Sequence, residues 1–292
     1  MPDLSFDLTL NPPARSVRLV EEMWREESHP EIHEIVSLLE HDPVTTLHLL
    51  RQVNSPIYAL KQSVASIDRA ATMLGFDAVA NTIFVESRIP KPDDLATARA
   101  QLAYAYLIGS SVTASYIARD LAHELDMDRP GVIRTAALIH QVGRMALLSS
   151  DPQTYLPLWT ESTTPSGRAI AVPPGIGREI VHFRTDYTRY GEDLAKNWHL
   201  PPDLSESIRY HADPERTEDA DRHVVLVVAV SQYAARTMFE PEEHLDRDQS
   251  RERLRKVANE LAEAYEVSNK AIENVLEQSK KEAYQEAIAM KL

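Results

Sequence analysis

The residues best placed for chemistry lie in one short apolar stretch, where a histidine stands beside a glutamine. Residues 137–144 read ALIHQVGR, so that His140 is followed directly by Gln141. A neighbouring His and Asp on a buried helix would supply an imidazole nitrogen and a carboxylate oxygen to a divalent metal that hydrolyses phosphate esters. Gln141 offers only a neutral amide oxygen, which binds a hard cation more weakly. The stretch therefore predicts either a metal pair that has lost one ligand or a satisfied histidine on the apolar face of a helix.

Helical periodicity places His140 toward the protein core. At three- and four-residue spacing His140 shares a face with apolar or small residues, namely Val132, Ala136, Gly143 and Leu147. Arg144 follows His140 by four residues and borders the same face. A second long helical segment ends near His123, and its periodicity turns Gly109 inward. Because glycine costs a helix interior about 1 kcal/mol relative to alanine, Gly109 indicates close helix packing.

The composition favours a helical protein and narrows the classes of function. Of the 292 residues 43% are hydrophobic, which is enough for a sizeable core, and only 8 are glycine. The 45 acidic residues outnumber the 31 basic ones, and a net charge of −14 opposes broad attraction to nucleic acid or anionic lipid. The absence of cysteine excludes disulfides, thiolate zinc sites and cysteine nucleophiles, and agrees with a reducing compartment. We therefore expect protein partners or small ligands.

Two further observations concern membranes and location. No apolar run approaches the roughly 20 residues that a membrane-spanning helix needs. The first residues, MPDLSFD, lack the basic start of a signal peptide. We therefore expect a cytoplasmic protein with no membrane association.

The N-terminal third predicts a series of short helices. Asp42 followed by Pro43 is typical of a helix start, with Asp as the N-cap and Pro at the first helical position. Residues 54–56, Asn-Ser-Pro, should end that helix. Ser66 begins another, which Gly75 interrupts or ends. None of these residues carries chemistry, so we expect capping and packing roles for them.

Residues 149–178 predict a long surface loop. They contain five prolines and three glycines, so a regular helix is not expected through them. The sequence PPGIGR at residues 173–178 could turn backbone amides toward a phosphate, but it matches neither a P-loop nor a dinucleotide fingerprint. A connection that folds on a partner is the alternative.

Short motifs recur in a fixed order along most of the chain. They are HDP at 41–43, LLRQVNS at 49–55, VASIDRA at 64–70, LGF at 74–76, WHLP at 198–201 and IRYHADP at 208–214, with Glu179, Asp186 and Gly191 between LGF and WHLP. Together they resemble the HDOD family, the HD-related output domain, which is a degenerate branch of the HD phosphohydrolase superfamily. The likeness runs from about Leu10 to about Tyr233.

The resemblance implies an all-α fold, a multi-helix HD-like bundle with an N-terminal helical layer and additional C-terminal helices. We divide the chain into an N-terminal helical part at residues 1–100, a degenerate HD-like core at 101–240 that includes the loop 149–178, and a C-terminal extension at 241–292. Residues 224–230 are all apolar and could form a buried strand by periodicity alone. The family context favours a helix there.

The resemblance also implies a site that lacks metal ligands. A His is expected at Gly109 or Ser110, an Asp at Gln141, His residues at Tyr187 and Ala212, and an Asp near Val230 or Ser231. We therefore expect no catalytic, cofactor-binding or metal-binding residue, and no cofactor. The remnant would be a vestigial cleft formed by the side chains at Gly109, Ser110, His140, Gln141, Arg144, Tyr187, His211 and Ala212.

The charged C-terminal region predicts two more helices. One carries an apolar face that includes Leu254 and Leu261, and the other one that includes Ile272 and Leu276, with Ser268 and Asn269 offering an N-cap between them. Both are too short for a persuasive coiled coil, so we expect them to pack against the main body. Homodimerisation through them stays open.

Two functions from different classes follow. The first is a non-catalytic bacterial signalling module that acts through protein–protein interaction, with signalling proteins of unknown identity as partners. The alternative is a metal-dependent phosphohydrolase acting on a nucleotide or phosphoester, with His140 and His211 as its remaining ligands or a separate site among His182, Asp186, Asp193 and His199. A third reading, binding of a small nucleotide without chemistry, rests on three arginines, Arg144, Arg184 and Arg209.

Overall fold

The computed structural model describes residues 10–25, 30–88, 93–217, 222–241 and 247–289, and these form α-helices with one β-hairpin. The first half contains α1 (Ala14–Arg25), α2 (Ile32–Leu39), α3 (Pro43–Val53), α4 (Ile67–Ser87), α5 (Ala98–Glu124), α6 (Pro130–Ile139) and α7 (Val142–Ser150). The second half contains α8 (Pro152–Tyr155), β1 (Thr160–Thr163), β2 (Ala169–Val172), α9 (Ile176–Phe183), α10 (Tyr187–Asn197), α11 (Pro202–Tyr210), α12 (Arg222–Phe239), α13 (Arg247–Ala264) and α14 (Asn269–Ala289). The expectation of an all-α fold is confirmed.

The N-terminal helices begin and end where the capping residues predict. The Asp42 carboxylate accepts hydrogen bonds from the backbone N and the hydroxyl of Thr45, at 2.8 and 2.6 Å, and so caps α3. The Asn54 side chain closes the other end of α3 by bonding both the N–H and the carbonyl of Val64. Gly75 has φ 73° and kinks α4 in its middle, as an interruption rather than an end.

The central element is α5, which has 27 residues and is buried along most of its length. Helices α6, α12 and α14 all pack against it. The apolar run at residues 224–230 lies inside α12 and is fully buried there. Helix is therefore confirmed over strand for this run, because the run lies between neighbouring helices and is covered by them on all sides.

The prediction of a long surface loop at residues 149–178 is wrong. The segment contains the end of α7, the short helix α8 and an antiparallel hairpin in which Thr160 pairs with Val172 and Thr163 with Ala169. Tyr155 and Ala171 are fully buried. The prolines and glycines do break the segment, but they break it into short elements whose apolar residues join the core.

Residues 140–141 form a junction between two helices, whereas the sequence suggested one continuous helix. His140 is the C-cap of α6 and Gln141 is the N-cap of α7. Both side chains are buried, as periodicity predicted for His140. A turn at this point changes the direction of the chain. Arg144 belongs to α7, so the orientation of α7 and not that of α6 determines where its side chain points.

Two glycines allow α7 and α10 to touch through their backbones. A Cβ atom on Gly143 would overlap the carbonyl oxygen of Tyr187 and would lie 2.9 Å from the backbone N of Gly191. A Cβ atom on Gly191 would in turn lie 3.0 Å from the backbone N of Gly143. This contact fixes how closely Tyr187, the first residue of α10, approaches α7.

The C-terminal helices pack on the main body, as predicted. Ser268 accepts a hydrogen bond from the N–H of Ala271 at the start of α14, and α14 lies along α5. Contact between α5 and α14 crosses the predicted boundary at residue 240, and the division into three parts stays a prediction. None of the helices in the described ranges combines the length with the apolar composition that crossing a lipid bilayer requires.

We predict that Gly143→Ala destabilises the protein by about 3 kcal/mol, the upper end of the usual cost of overpacking, because a clash with backbone atoms cannot be relieved by a rotamer change. Gly177→Ala is the matched control, since a Cβ atom at Gly177 has open space around it. That change in α9 should be neutral or stabilising by up to about 1 kcal/mol. Urea unfolding of the two variants checks the prediction, and equal midpoints would contradict it.

Candidate functional site

Two histidines meet at the ends of two helices. His140 follows α6 and His211 follows α11, and their ring centroids lie 5.0 Å apart in an edge-on arrangement. Each Nδ1 contacts a carbonyl of its own helix, Ala137 O at 2.6 Å and Ser207 O at 2.9 Å. A carbonyl can only accept, so Nδ1 carries the proton in both rings. The two Nε2 atoms are therefore acceptors.

The two Nε2 atoms differ in their partners. The Tyr187 hydroxyl lies 3.0 Å from His211 Nε2 and donates to it. His140 Nε2 is buried, and no hydrogen-bond partner is found for it within the described part of the chain. Tyr187 thus holds one imidazole in place and leaves the other with an unused acceptor.

Gln141 is held by a serine of α5. Its Nε2 donates to Ser110 Oγ at 2.6 Å, and the Ser110 hydroxyl donates to the carbonyl of Tyr106 at 2.6 Å. Gly109 lies on another side of α5, where it lines a recess together with Tyr284 of α14. Of the two positions that the resemblance left open, Ser110 is the one that reaches the site.

Arg144 is the cation at the centre of this cluster. Its guanidinium carbon lies 3.6 Å from the centroid of the Tyr187 ring. Its Nε lies 3.5 Å from Glu179 Oε1, and its Nη1 lies 3.4 Å from Gln141 Oε1. Another nitrogen, Nη2, lies 3.4 Å from the carbonyl of Pro174. One buried charge therefore contacts α7, α9, α10 and the turn before α9.

Glu179 is the anion that balances Arg144, and its carboxylate is fully buried. It accepts hydrogen bonds from the Tyr155 hydroxyl at 2.8 Å and from the backbone N of Tyr187 at 2.9 Å. Burial raises the pKa of Glu179, while Arg144 and these two donors oppose the rise. Burial also opposes the charge on Arg144, but Tyr187 and Glu179 raise its pKa overall. The pair is a salt bridge whose carboxylate is stabilised by neutral donors.

Sequence reasoning missed the role of Glu179 and Tyr155. Glu179 appeared only as a mark of the family pattern, and Tyr155 lay in the predicted loop. Phe183 follows Glu179 by four residues and both are buried, so helical periodicity counted back from Phe183 would have turned Glu179 inward. No signal in the sequence pairs Tyr155 with Glu179 across 24 residues.

The other residues suggested by the sequence do not converge. Arg209 pairs with Thr188 Oγ1 and Glu192, and Arg184 is exposed at the end of α9. The alternative metal set is also dispersed, since Asp186 caps α10 through Thr188 N at 2.9 Å, while the side chains at His182, Asp193 and His199 are exposed. Ala212 lines the mouth of a larger cavity beside Tyr187.

The residues present do not fit a divalent metal ion. Such an ion needs carboxylates or several free nitrogen and oxygen donors. Here His211 Nε2 and the Gln141 amide are already engaged, Val230 and Ser231 supply no carboxylate, and Arg144 places a positive charge among them. Within the described ranges no group of three or more His, Asp or Glu side chains is arranged to hold a metal.

Comparison with known proteins assigns the fold. The chain belongs to the HDOD domain family, whose model matches residues 11–214 and hence more than half of the chain. The expected family is therefore confirmed, although the match ends before the Tyr233 limit expected from the motifs. None of the curated proteins matches the chain.

Solved structures that share this fold include the following two. The MmoQ response regulator from Methylococcus capsulatus str. Bath is 19% identical with a TM-score of 0.65, over 87% of this chain and 95% of that one. A virulence factor from Campylobacter jejuni subsp. jejuni is 16% identical with a TM-score of 0.67, over 94% of this chain and 96% of that one. At these identities the likeness extends to the fold alone.

The buried histidines predict a loss of stability in mild acid. Burial lowers the pKa of His140 to about 4, and burial together with His140 and Arg144 lowers the pKa of His211 well below its usual value. Because the unfolded chain has the higher histidine pKa, it binds more protons than the folded chain between about pH 6.5 and 4. The histidine contribution is therefore full above pH 6.5 and falls by about 1.4 kcal/mol per pH unit for each histidine as the pH drops.

The His140→Gln variant isolates this effect. Urea unfolding from pH 7.5 to 4.5 should give a shallower fall for the variant than for the parent, by about one proton's contribution. Asp42 acts in the opposite direction, since burial raises its pKa to about 6, but it is present in both proteins. Parallel pH profiles would show that His140 takes up its proton as readily in the folded state as in the unfolded one, and would contradict the prediction.

Proposed function

We propose that this protein is a non-catalytic signalling module that acts through contacts with other proteins. The observation that carries the proposal is the Arg144 guanidinium, which stands among the histidines and is paired with a buried glutamate. A hydrolytic metal centre needs negative charge and open coordination positions at this place. The cluster supplies a positive charge, and His211 Nε2 and the Gln141 amide are already hydrogen-bonded to other members of the cluster.

The signalling part of the proposal is supported by the family of the chain and by a solved protein of similar fold. The chain belongs to a family named for an output role, and the similar Methylococcus capsulatus protein is described as a response regulator. The net charge of −14 makes protein partners likelier targets than nucleic acid. Exposed apolar side chains such as Ile57 and Val181, which are 90% and 77% exposed, provide surface for contacts of this kind.

The alternative, a metal-dependent phosphohydrolase, is tested by restoring the missing carboxylate. We predict that Gln141→Asp yields no Mn-dependent hydrolysis of a generic phosphodiester or of nucleotides. The reason is that Arg144 Nη1 lies 3.4 Å from Gln141 Oε1. A new carboxylate at this position would therefore form an ion pair with the guanidinium in preference to binding a metal. Gln141→Asn is the control, because it has the same size as the Asp variant without its charge.

The same preparations give a second measurement. We expect elemental analysis of the desalted parent to show far less than one Fe, Mn or Zn per chain. Metal-dependent turnover by the Asp variant alone would overturn the non-catalytic proposal. Turnover by the parent would overturn it directly.

The interaction part is tested by affinity capture with the full chain as bait, followed by calorimetry with each purified candidate partner. We predict at least one signalling protein that binds directly and with defined stoichiometry. His140→Gln should bind it with unchanged affinity, because the substitution is buried and leaves the surface as it was. If no candidate binds directly once purified, the proposed mode of action is wrong.

A further inference from the structure

A cavity of about 400 Å³ opens beside the cluster just described, between α7, α12, α13 and the turn that leads into α9. Its size is within the range of small-molecule sites. The basic residues that line it are all arginines, namely Arg144, Arg178, Arg236 and Arg253. Within the described ranges, the lining includes one acidic residue, Glu240. The local charge is therefore opposite to the net charge of the chain.

Two carboxylates at the cavity, Glu240 in its lining and Glu179 behind it, are already paired with arginines. Arg236 binds Glu240 with two hydrogen bonds of 2.8 Å, and the Tyr106 hydroxyl donates to the same carboxylate. Glu179 lies behind Arg144 and balances that charge. Within the described part of the chain, Arg178 and Arg253 form no ion pair with a carboxylate: Arg178 donates to the carbonyl of Leu158, and Arg253 bonds the Tyr233 hydroxyl. Arg178 thus has no carboxylate partner among the described residues, while Asp213 and Glu215 act on Arg253 without an ion-pair contact, and Glu215 is itself paired with Lys256.

Buried polar groups at the cavity also have unused hydrogen-bonding capacity. The contacts of Arg144 with Gln141, Pro174 and Glu179 all measure 3.4–3.5 Å, which is long for hydrogen bonds to a guanidinium. Gln232 is 5% exposed and lines the same cavity, and its Oε1 has no partner among the described residues. Unsatisfied buried groups of this kind are costly unless a ligand or solvent completes them.

We infer that this cavity binds a small multivalent oxyanion, a phosphorylated or polycarboxylated organic molecule. Guanidinium groups present planar pairs of N–H donors that match phosphate and carboxylate oxygens. Several of them converging on one cavity select for more than one negative charge. Gln232 Oε1 would accept a hydrogen bond from a hydroxyl or amine elsewhere on the same ligand.

The ligand would join two parts of the chain. Arg144 and Arg178 lie inside the segment that matches the HDOD family, whereas Arg236 and Arg253 lie beyond its end at residue 214. An anion held by both pairs would tie α13 to the main body. The inference is independent of the proposed signalling role, since it concerns only what the cavity binds.

The test is calorimetric titration of the full chain at low salt with two probes, pyrophosphate and citrate. We expect pyrophosphate to bind at one site and citrate to compete with it. Arg253→Gln and Arg178→Gln should each weaken pyrophosphate binding by about tenfold or more, as the loss of a charge-assisted hydrogen bond predicts. Arg255→Gln, on the same helix as Arg253, and Arg184→Gln, at the opposite end of the helix that carries Arg178, remove the same charge outside the cavity and should leave binding unchanged.

Each outcome of these titrations either supports or overturns the inference. Binding of pyrophosphate alone assigns a phosphorylated ligand, and binding of citrate alone assigns a polycarboxylate; both support the site. Equal weakening by the cavity and control variants would mean non-specific charge attraction and would overturn the inference. So would the absence of binding by both probes to a folded parent.

Discussion

The site depends on one buried charge pair. Arg144 and Glu179 are removed from water together, which is unfavourable unless the remaining donors and acceptors are satisfied. The Tyr155 hydroxyl and the Tyr187 backbone satisfy the carboxylate, and the Tyr187 ring lies under the guanidinium. Arg144, Glu179, Tyr155 and Tyr187 come from four different elements, so the pair can form only when α7, α8, α9 and α10 have assembled. The charge pair therefore specifies the arrangement of these elements, whatever it contributes to net stability.

Much of the fold could be predicted because its signals are local. Asp42 caps α3 by a bond to a residue three positions away, and Gly75 interrupts α4 through its own φ angle. The motifs that identify the family are short and contiguous as well. The hairpin was not predictable in this way: prolines and glycines mark where a segment breaks, but whether the pieces between them are buried depends on surfaces distant in sequence.

The candidate site was predicted less completely, for reasons of direction and distance. One residue along a helix turns a side chain by about 100°, so an alignment uncertain by one position could not decide whether Gly109 or Ser110 faces Gln141. The turn between α6 and α7 reorients Arg144, and no periodicity rule anticipates it. Two partners of Arg144, Pro174 and Glu179, lie 30 and 35 residues away, and their roles follow from packing that only the structure shows.

The packing of α5 has a consequence for where the molecule could be divided. Helices α12 and α14 cover α5, and both lie beyond residue 214, where the match to the family ends. A fragment cut at that limit would leave the apolar face of a 27-residue helix open to water. We expect such a fragment to aggregate on expression, because exposed apolar faces of this extent associate with one another. For this chain the segment that matches the family is shorter than the segment that has to fold together.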